Sequence, residues 1–405
     1  MKIILFYILR KFFVNLEINR ASIALETRFI IRKKSEILRR DIVRVQIRRT
    51  PVLRFLGARE ITVFTQSAKF MFFLSENESL DLNKLIKAPA KPALKPRFFE
   101  RLFGAFIDTR ALAGILLFVF TLRKISKIFG GNYLDSVLRA IFTTAESLSK
   151  ALEIAHIVLP RTAVFLAVFA LAAWLFSFIK KAISLSRFEL RADNSAVFVK
   201  SGLITLYENL LVRNTAAVVA RTTLFSLITK RSLLYYRGVL VFPCADKSAC
   251  RRILRAFFKL RTPNAPAVKS PRRAVFGHCA IPLWLFFGFS AALFALLLSG
   301  NGSALIIRTA LTAGIIISAY LFILFFLYMK RAVFSFSEKV FIISSRKSTA
   351  LYTAFFPPSL VVGEVCMCSI FQRMSGLCSL KLFLIEKRHF TARLVPIKSA
   401  SLSNR

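Results

Sequence analysis

The feature that most constrains this chain is a pair of long uncharged segments lying close together. Residues 279–299 and 309–329 contain no Asp, Glu, Lys or Arg, and nine residues separate the two runs. An α-helix rises about 1.5 Å per residue, so about 20 apolar residues cross the roughly 30 Å hydrocarbon core of a bilayer. The pattern predicts a membrane hairpin, and the polar parts of the chain are expected to lie beside a bilayer.

Two further apolar segments, 103–122 and 160–179, predict another pair of spans, which makes four transmembrane helices in all. Asp108 and Arg110 fall in the outer third of the first of these, where we expect them to reach the headgroup level. The stretch between the two spans has apolar residues at helical spacing and predicts an amphipathic helix along the interface. Lys and Arg clusters flank the spans so that both termini and every large module are predicted to be cytoplasmic in a multi-pass membrane protein.

The charge balance points to an anionic partner surface. The chain has 61 Lys and Arg against 20 Asp and Glu, a formal net charge of +41. Such an excess attracts nucleic acid, anionic lipid or acidic protein. Because the basic residues stand beside apolar spans, they favour the bilayer surface, and nucleic acid is not expected as a partner.

No cofactor, metal or catalytic site is expected. The chain has no phosphate-binding or dinucleotide-binding glycine motif and no metalloprotease motif, so the prediction is a non-enzymatic protein. Its six cysteines include no CxxC pair. Cys366 and Cys368, with Cys378 ten residues further on, were the closest approach to a thiolate site, and we interpret them as buried, reduced thiols.

Three regions rich in β-branched and aromatic residues lie between the apolar segments. In the first, Val43, Val45 and Ile47 alternate with polar residues, which predicts a half-buried strand with a basic outer face. Aligning Gly57 with Thr229 and Gly376 brings similar strands of the three regions into register. The regions are therefore expected to be copies of one unit.

These features divide the chain as follows. The prediction is a short apolar N-terminal segment, either an interfacial helix or the remnant of a longer anchor (1–18), a first module (19–87), a Pro/Lys linker (88–102), a transmembrane pair with an amphipathic loop helix (103–180), a second module (187–260), a basic Pro linker (261–273), a transmembrane hairpin (279–329), a third module (332–398) and a tail (399–405).

The segments 27–32 (TRFIIR), 42–46 (IVRVQ) and 50–63 (TPVLRFLGAREITV) resemble the YdbS/YdbT-type bacterial membrane proteins, whose modules are pleckstrin-homology-like. The resemblance implies a membrane α plus β fold, in which four transmembrane helices in two pairs alternate with three small β-sandwich or half-open barrel modules of the PH type. It implies no catalytic residues. The setting that it suggests is envelope stress or antimicrobial resistance.

The strongest candidate surface is the basic part of the first module. It is expected to bind anionic lipid headgroups or a partner, although a plain solvated strand face with positive-inside bias would produce the same composition. Its residues are Arg32, Lys33, Lys34, Arg39, Arg40, Arg44, Arg48 and Arg49.

The expected partners are the lipid bilayer, anionic headgroups and a second membrane protein that carries a similar module. Two rival functions are a transport or export component and a membrane-tethered nucleic-acid binder. The first is disfavoured because the third and fourth spans carry almost no buried polar residues, and the second because the many Phe residues lie in apolar runs.

Overall fold

The computed structural model has a mixed α/β fold with four β-sheets. It describes residues 14–18, 22–28, 32–75, 93–108, 133–154, 161–193, 195–213, 216–260, 268–269, 271, 274–298, 305–337, 339–347, 349–385 and 389–396. The predicted N-terminal helix or anchor (residues 1–13), Arg110 and most of the first predicted span lie outside the described residues.

The described strands fall into three β-regions with the same order of elements. The first β-region contains β1 (Val14–Ile18), β2 (Ser22–Arg28), β3 (Arg32–Leu38), β4 (Ile42–Arg49), helix α1 (Pro51–Phe55), β5 (Ala58–Thr65) and β6 (Lys69–Ser75). Strand β1 pairs with β2, so the first sheet begins ahead of residue 19, where the module was predicted to start. The strand at residues 14–18 was missed because the apolar run before it suggested an anchor, although Val14, Leu16 and Ile18 alternate with Asn15 and Glu17 as in a strand.

Between the first and second β-regions lie β7 (Ala93–Leu94) and the helices α2 (Phe98–Asp108), α3 (Tyr133–Ile154) and α4 (Arg161–Ser184). The amphipathic helix predicted between the first two spans is α3, and it packs Ile141 against Ala173 of α4. The described part of the predicted span 160–179, residues 161–179, lies within α4.

The second β-region contains β8 (Glu189–Ala192), β9 (Ala196–Ser201), β10 (Leu206–Val212), β11 (Val218–Thr222), α5 (Leu224–Thr229), β12 (Ser232–Tyr236), β13 (Val239–Ala245) and α6 (Lys247–Phe258). After it come β14 (Val268–Lys269) and the long helices α7 (Ala274–Leu298) and α8 (Leu305–Arg331). The third β-region contains β15 (Val333–Phe336), β16 (Phe341–Lys347), β17 (Ala350–Phe356), β18 (Val361–Met367), α9 (Ile370–Met374), β19 (Leu377–Leu384) and β20 (His389–Pro396).

Within the described chain, two helices are long and apolar enough to cross a membrane. The segments are Cys279–Leu298 of α7 and Ala310–Arg331 of α8, with mean hydropathies of 2.2 and 2.4. They coincide with the predicted hairpin. Trp284 is 76% exposed and Ile316 is 64% exposed, so large apolar side chains on both helices face outward rather than into a protein core. Such outward apolar surface is what lipid contact requires.

The sheets do not follow the boundaries of the three β-regions. Two seven-stranded sheets, which we call the shared sheets, have the strand orders β6-β5-β4-β10-β9-β8-β7 and β13-β12-β11-β17-β16-β15-β14. Strand β4 pairs with β10, and β11 pairs with β17, both antiparallel. Each shared sheet therefore joins the second half of one region to the first half of the next.

The linkers also enter these sheets. Strand β7 comes from the predicted Pro/Lys linker and pairs with β8, and β14 comes from the basic linker and pairs with β15. Two residues of each segment expected to be a plain spacer thus form an outer strand of a shared sheet. The sequence concealed this because their Pro and Lys content is typical of a spacer.

Each β-region encloses a separate core between two sheets. In the first, Ile23 and Ile37 from the three-stranded sheet β1-β2-β3 pack with Val45, Ile61 and Val63 from the first shared sheet, and all five are at most 5% exposed. The second core lies between the two shared sheets, and the third between the second shared sheet and β18-β19-β20. The three cores form a row in which neighbouring cores are linked by one continuous sheet.

The three short helices share a start signal and an end signal. Thr50, Thr223 and Ser369 each accept a hydrogen bond through the side-chain oxygen from the backbone N–H three residues later, as N-cap residues do. Seven residues after each cap the backbone has positive φ, at Gly57 (60°) and Gly376 (66°), where only glycine avoids strain.

The residue at this point in the second β-region is Lys230, with φ of 55°. The predicted alignment placed Thr229 there, so it is displaced by one residue. A lysine in the left-handed conformation gives no signal of its own in the sequence, so the alignment of the flanking strands could not show it.

Candidate binding surfaces

The eight basic residues predicted to form a lipid or partner surface lie on two strands and the turn between them. Arg32, Lys33 and Lys34 are on β3, and the placement of their side chains lies outside the described residues. Arg39 and Arg40 form a single turn of 3-10 helix between β3 and β4, and both are exposed. Arg44, Arg48 and Arg49 are on β4, at the junction with β10.

The Arg44 side chain bridges strands β4 and β10 of the first shared sheet. Its guanidinium donates to Oε1 of Gln46 at 2.7 Å and to Oδ1 of Asn209 on β10 at 2.9 Å, and it lies 4.7 Å from the ring centre of Phe64. Burial lowers the pKa of Arg44 to about 10, so the side chain remains charged at neutral pH. A guanidinium engaged in this way across a strand pair is a structural group rather than a free phosphate ligand.

Arg48 and Arg49 are engaged at the same junction. Arg48 Nη1 lies 3.3 Å from Oε2 of Glu60, and its guanidinium stands 5.9 Å from the ring centre of Tyr207 on β10. Arg49 Nη2 lies 3.9 Å from Oε2 of Glu208. Among the candidate residues whose side chains are described, Arg39 and Arg40 are exposed and lie away from this junction, while the side chain of Arg48 is 39% exposed but contacts Glu60 and Tyr207.

Asp108 forms a buried ion cluster that was not predicted. Its Oδ2 lies 2.5 Å from Nζ of Lys181 at the end of α4, and its Oδ1 lies 2.5 Å from Nη1 of Arg221 on β11. The Tyr235 hydroxyl donates to Oδ1 at 3.1 Å. Burial, with the nearby Asp108 carboxylate, raises the pKa of Tyr235, which keeps its hydroxyl protonated.

The expectation that Asp108 reaches toward headgroups is therefore wrong. Its side chain is 9% exposed and that of Arg221 is 10% exposed, because β11 and α4 bring two cations to the end of α2. The cluster joins helices α2 and α4 to strand β11 of the second β-region. Helix α8 is joined to the β-regions by hydrogen bonds: the Tyr328 hydroxyl donates to the carbonyl of Thr349 at 2.8 Å, and Arg331 donates to the carbonyl of Leu227 at 2.9 Å.

In the described chain, each end sheet of the row has two edge strands, β1 and β3 in the first and β18 and β20 in the last, and β3 and β18 are the ones that correspond to the strands paired at the internal junctions. Among the described residues, β3 pairs with β2 and β18 pairs with β19, and neither has a second neighbour. Strand β18 is also apolar on its outside, since Val362 is 70% exposed, Val365 43% and Met367 47%. An exposed, apolar edge strand is a template for pairing with another chain.

A cluster of three thiols lies at the end of β18. Cys366 and Cys368 are exposed, Cys378 on β19 is buried, and their three Sγ atoms lie within 4.8 Å of one another. The prediction of buried thiols is wrong for the first two. Burial is the main cause that raises the pKa of Cys378, so this thiol is protonated at neutral pH.

The cluster is a product of strand register. Met367 pairs with Ser379, so the antiparallel ladder brings Cys368 opposite Cys378, and Cys366 lies on the same side of its strand as Cys368. The sequence showed the spacing of the cysteines but not this pairing.

Comparison with known proteins assigns the first β-region. Residues 2–90 match the family model described as Bacterial PH domain. The match covers the first β-region and the segment before it, and agrees with the pleckstrin-homology-like character that the resemblance in residues 27–63 implied. No curated protein and no solved structure matches the chain.

Proposed function

We propose that this chain is a non-enzymatic, four-span membrane protein that holds three PH-like modules in a row on the cytoplasmic side. Its function is to bind a further PH-like module at the open end of that row. The proposal extends the PH assignment from the first β-region to the other two, and it is supported by their shared element order, their equivalent helix caps and their equivalent positive-φ residues.

The single observation that carries the proposal is the repeated way in which neighbouring β-regions join. In the first junction β4 pairs with β10, and in the second β11 pairs with β17. In both junctions, the strand that precedes the short helix of one β-region pairs with the third strand of the next β-region. Strand β18 stands before the short helix of the third region, and its outer edge is unpaired in the described chain.

The occupant that fits β18 is therefore the corresponding strand of another PH-like module. It would add as an antiparallel strand, with main-chain hydrogen bonds supplying affinity and side-chain contacts supplying specificity. Val362, Val365 and Met367 offer the apolar contacts that an internal junction obtains from pairs such as Val218 with Phe355. A second membrane protein with a similar module is the expected partner.

The test is site-specific photocrosslinking in intact cells. A photoreactive residue at Val362 should give an adduct that mass spectrometry maps to an edge strand of a PH-like module on another polypeptide. The matched control is Met71, which is 51% exposed on the edge strand β6, because the internal junctions do not use the outer edge of β6 or of β13. No protein adduct at Val362, or the same adduct from Met71, would overturn the proposal.

The cytoplasmic placement has its own test. We propose that all three modules lie on one side of the membrane, which the Lys and Arg flanks of the four predicted spans favour. Single cysteines at the exposed positions Ser67, Ser248 and Ser359, in a background lacking the native cysteines, should be unreactive toward an impermeant thiol reagent until the cells are opened. Labelling of any of the three in intact cells would exclude the four-span arrangement.

A second binding function is supported by the exposed pair Arg39 and Arg40. Basic residues beside a bilayer gain about 1 kcal/mol each from anionic lipid, and this gain fades with salt. The lipid surface that we propose is smaller than the predicted eight residues, since the arginines of β4 are engaged in the first shared sheet.

A further inference from the structure

We propose that the three-thiol cluster of Cys366, Cys368 and Cys378 is a binding site for a soft, thiophilic metal ion, with Cu(I) as the ion that it fits. The proposal is independent of the proposed module binding, because it rests on side chains at the inner face and end of β18 rather than on its pairing edge.

The geometry is close to that of a trigonal sulfur site. With metal–sulfur bonds of about 2.3 Å, three ligands around one ion stand about 4 Å apart. The three Sγ atoms already lie within 4.8 Å of one another. Shifts well under 1 Å would bring them to bonding distance, and Cys366 and Cys368 are exposed, so their side chains can move more readily than that of the buried Cys378.

The ligand type selects the class of ion. Thiolate sulfur prefers Cu(I), Zn(II) and iron–sulfur clusters over hard cations such as Mg(II) or Ca(II). Structural zinc sites have four protein ligands, whereas the described residues place three suitable groups here. Three thiolates complete the coordination of Cu(I), while Zn(II) would need a water or a further ligand.

The charge of the occupied site is accommodated by its surroundings. Binding of Cu(I) to three thiols releases three protons and leaves a net charge of −2 on the metal and its ligands, and no electron is transferred. Arg373 on α9 is close enough to interact electrostatically with Cys368. The chain as a whole carries a formal charge of +41. An anionic cluster is therefore favoured here.

The burial pattern provides both an anchor and an entrance. Cys378 is fully buried in the third core, beside Leu380 and Val395, so one ligand is fixed by the packing of β19. Cys366 and Cys368 are exposed, so an ion can enter from solvent and be enclosed from the outer side.

The experiment uses the full-length, fully reduced protein in detergent under anaerobic conditions, titrated with Cu(I) against a chromogenic Cu(I) chelator. We expect one ion per chain, ultraviolet sulfur-to-copper absorption, and an X-ray absorption spectrum with three sulfur neighbours at about 2.3 Å. Loss of a direct ligand should exceed the 10–100-fold loss that an outer partner causes, so Cys366→Ser and Cys368→Ser should each weaken binding by at least about 100-fold.

The matched control is Cys250→Ser, a half-buried cysteine on α6 that lies outside the cluster, and its Cu(I) affinity should equal that of the unchanged protein. Because Cys366 and Cys368 are exposed, their replacement does not disturb the core. Equal Cu(I) binding by the Cys366→Ser/Cys368→Ser double variant would overturn the site. Tighter retention of Zn(II) than of Cu(I), with the same dependence on the two cysteines, would overturn the choice of ion.

Discussion

Removing the Asp108 carboxylate should weaken the attachment of helices α2 and α4 to the second β-region. In Asp108→Ala the guanidinium of Arg221, whose side chain is 10% exposed, is left without its carboxylate. Breaking a buried pair in this way costs about 3–5 kcal/mol. The contribution of Lys181 is smaller, at most about 1 kcal/mol, because its side chain is 33% exposed and solvent screens the pair.

The assay is amide hydrogen exchange of β11 and β12 in the full-length protein in detergent, which reports the free energy of local opening. A loss of about 3–5 kcal/mol corresponds to exchange that is roughly 100- to 5,000-fold faster. The control Glu146→Ala removes an exposed pair with Lys150 on α3, and should change exchange by less than about threefold.

A rescue variant separates charge burial from lost packing. In the Asp108→Ala background, Arg221→Met removes the uncompensated charge and should restore most of the protection, since well-packed apolar residues often replace a buried pair without loss. If Asp108→Ala accelerates exchange at β11 by less than fivefold, or if Arg221→Met brings no recovery, the cluster is not what fixes the helix pair to this region.

Three other outcomes are expected. Gly104→Ala should destabilise the contact between α2 and β13 by about 1–3 kcal/mol in a thermal unfolding measurement, because a Cβ there would clash with Pro243, whereas Gly288→Ala, which has open space, should be neutral or slightly stabilising. Asp246→Ala should cost about 1 kcal/mol at neutral pH, because Asp246 caps α6; the pKa of this carboxyl is lowered mainly by the Ala249 N–H, so its contribution is present above its unfolded pKa and is lost as pH falls through the folded value, and the variant should show a flatter decline of stability below about pH 4. Arg39→Glu with Arg40→Glu should weaken sedimentation with anionic vesicles without changing the melting temperature, whereas Arg44→Glu should lower the melting temperature, and equal vesicle binding by the Arg39/Arg40 variant would remove the lipid function.

Local pattern and long-range pairing differ in what the sequence reveals. The alternation of Val43, Val45 and Ile47 correctly predicted β4, because the two-residue period of a strand is a local property. The same pattern says nothing about which strand lies at the open edge. Arg44 and Asn209 are 165 positions apart, and neither carries a signal for the other. The arginines of β4 were therefore interpreted as free surface, whereas they contact Asn209, Tyr207 and Glu208 of β10.

Charged and sulfur-containing side chains were misjudged for a related reason. A lone aspartate near the end of an apolar helix is ordinarily interpreted as solvent-exposed. Only the three-dimensional structure shows that Arg221 and Lys181 lie beside Asp108 and pair with it. The cysteine cluster depends on the register of Met367 with Ser379, and a shift of one residue would move Cys378 to the opposite face of its strand.

Because each shared sheet contains strands from two β-regions, it can be completed only late in synthesis of the chain. The partners Arg44 and Asn209 are 165 positions apart, so at about 5–20 residues per second the ribosome needs roughly 10 to 30 s to deliver β10 after β4 has emerged. Throughout that interval β4 is an edge strand that pairs with β5 alone, and the helices α2, α3 and α4 are synthesised before its second neighbour exists. Charged residues on an edge strand oppose pairing with the wrong chain. Arg44, Arg48 and Arg49 would thus protect the nascent strand first, and bind Asn209, Tyr207 and Glu208 only when the second β-region arrives.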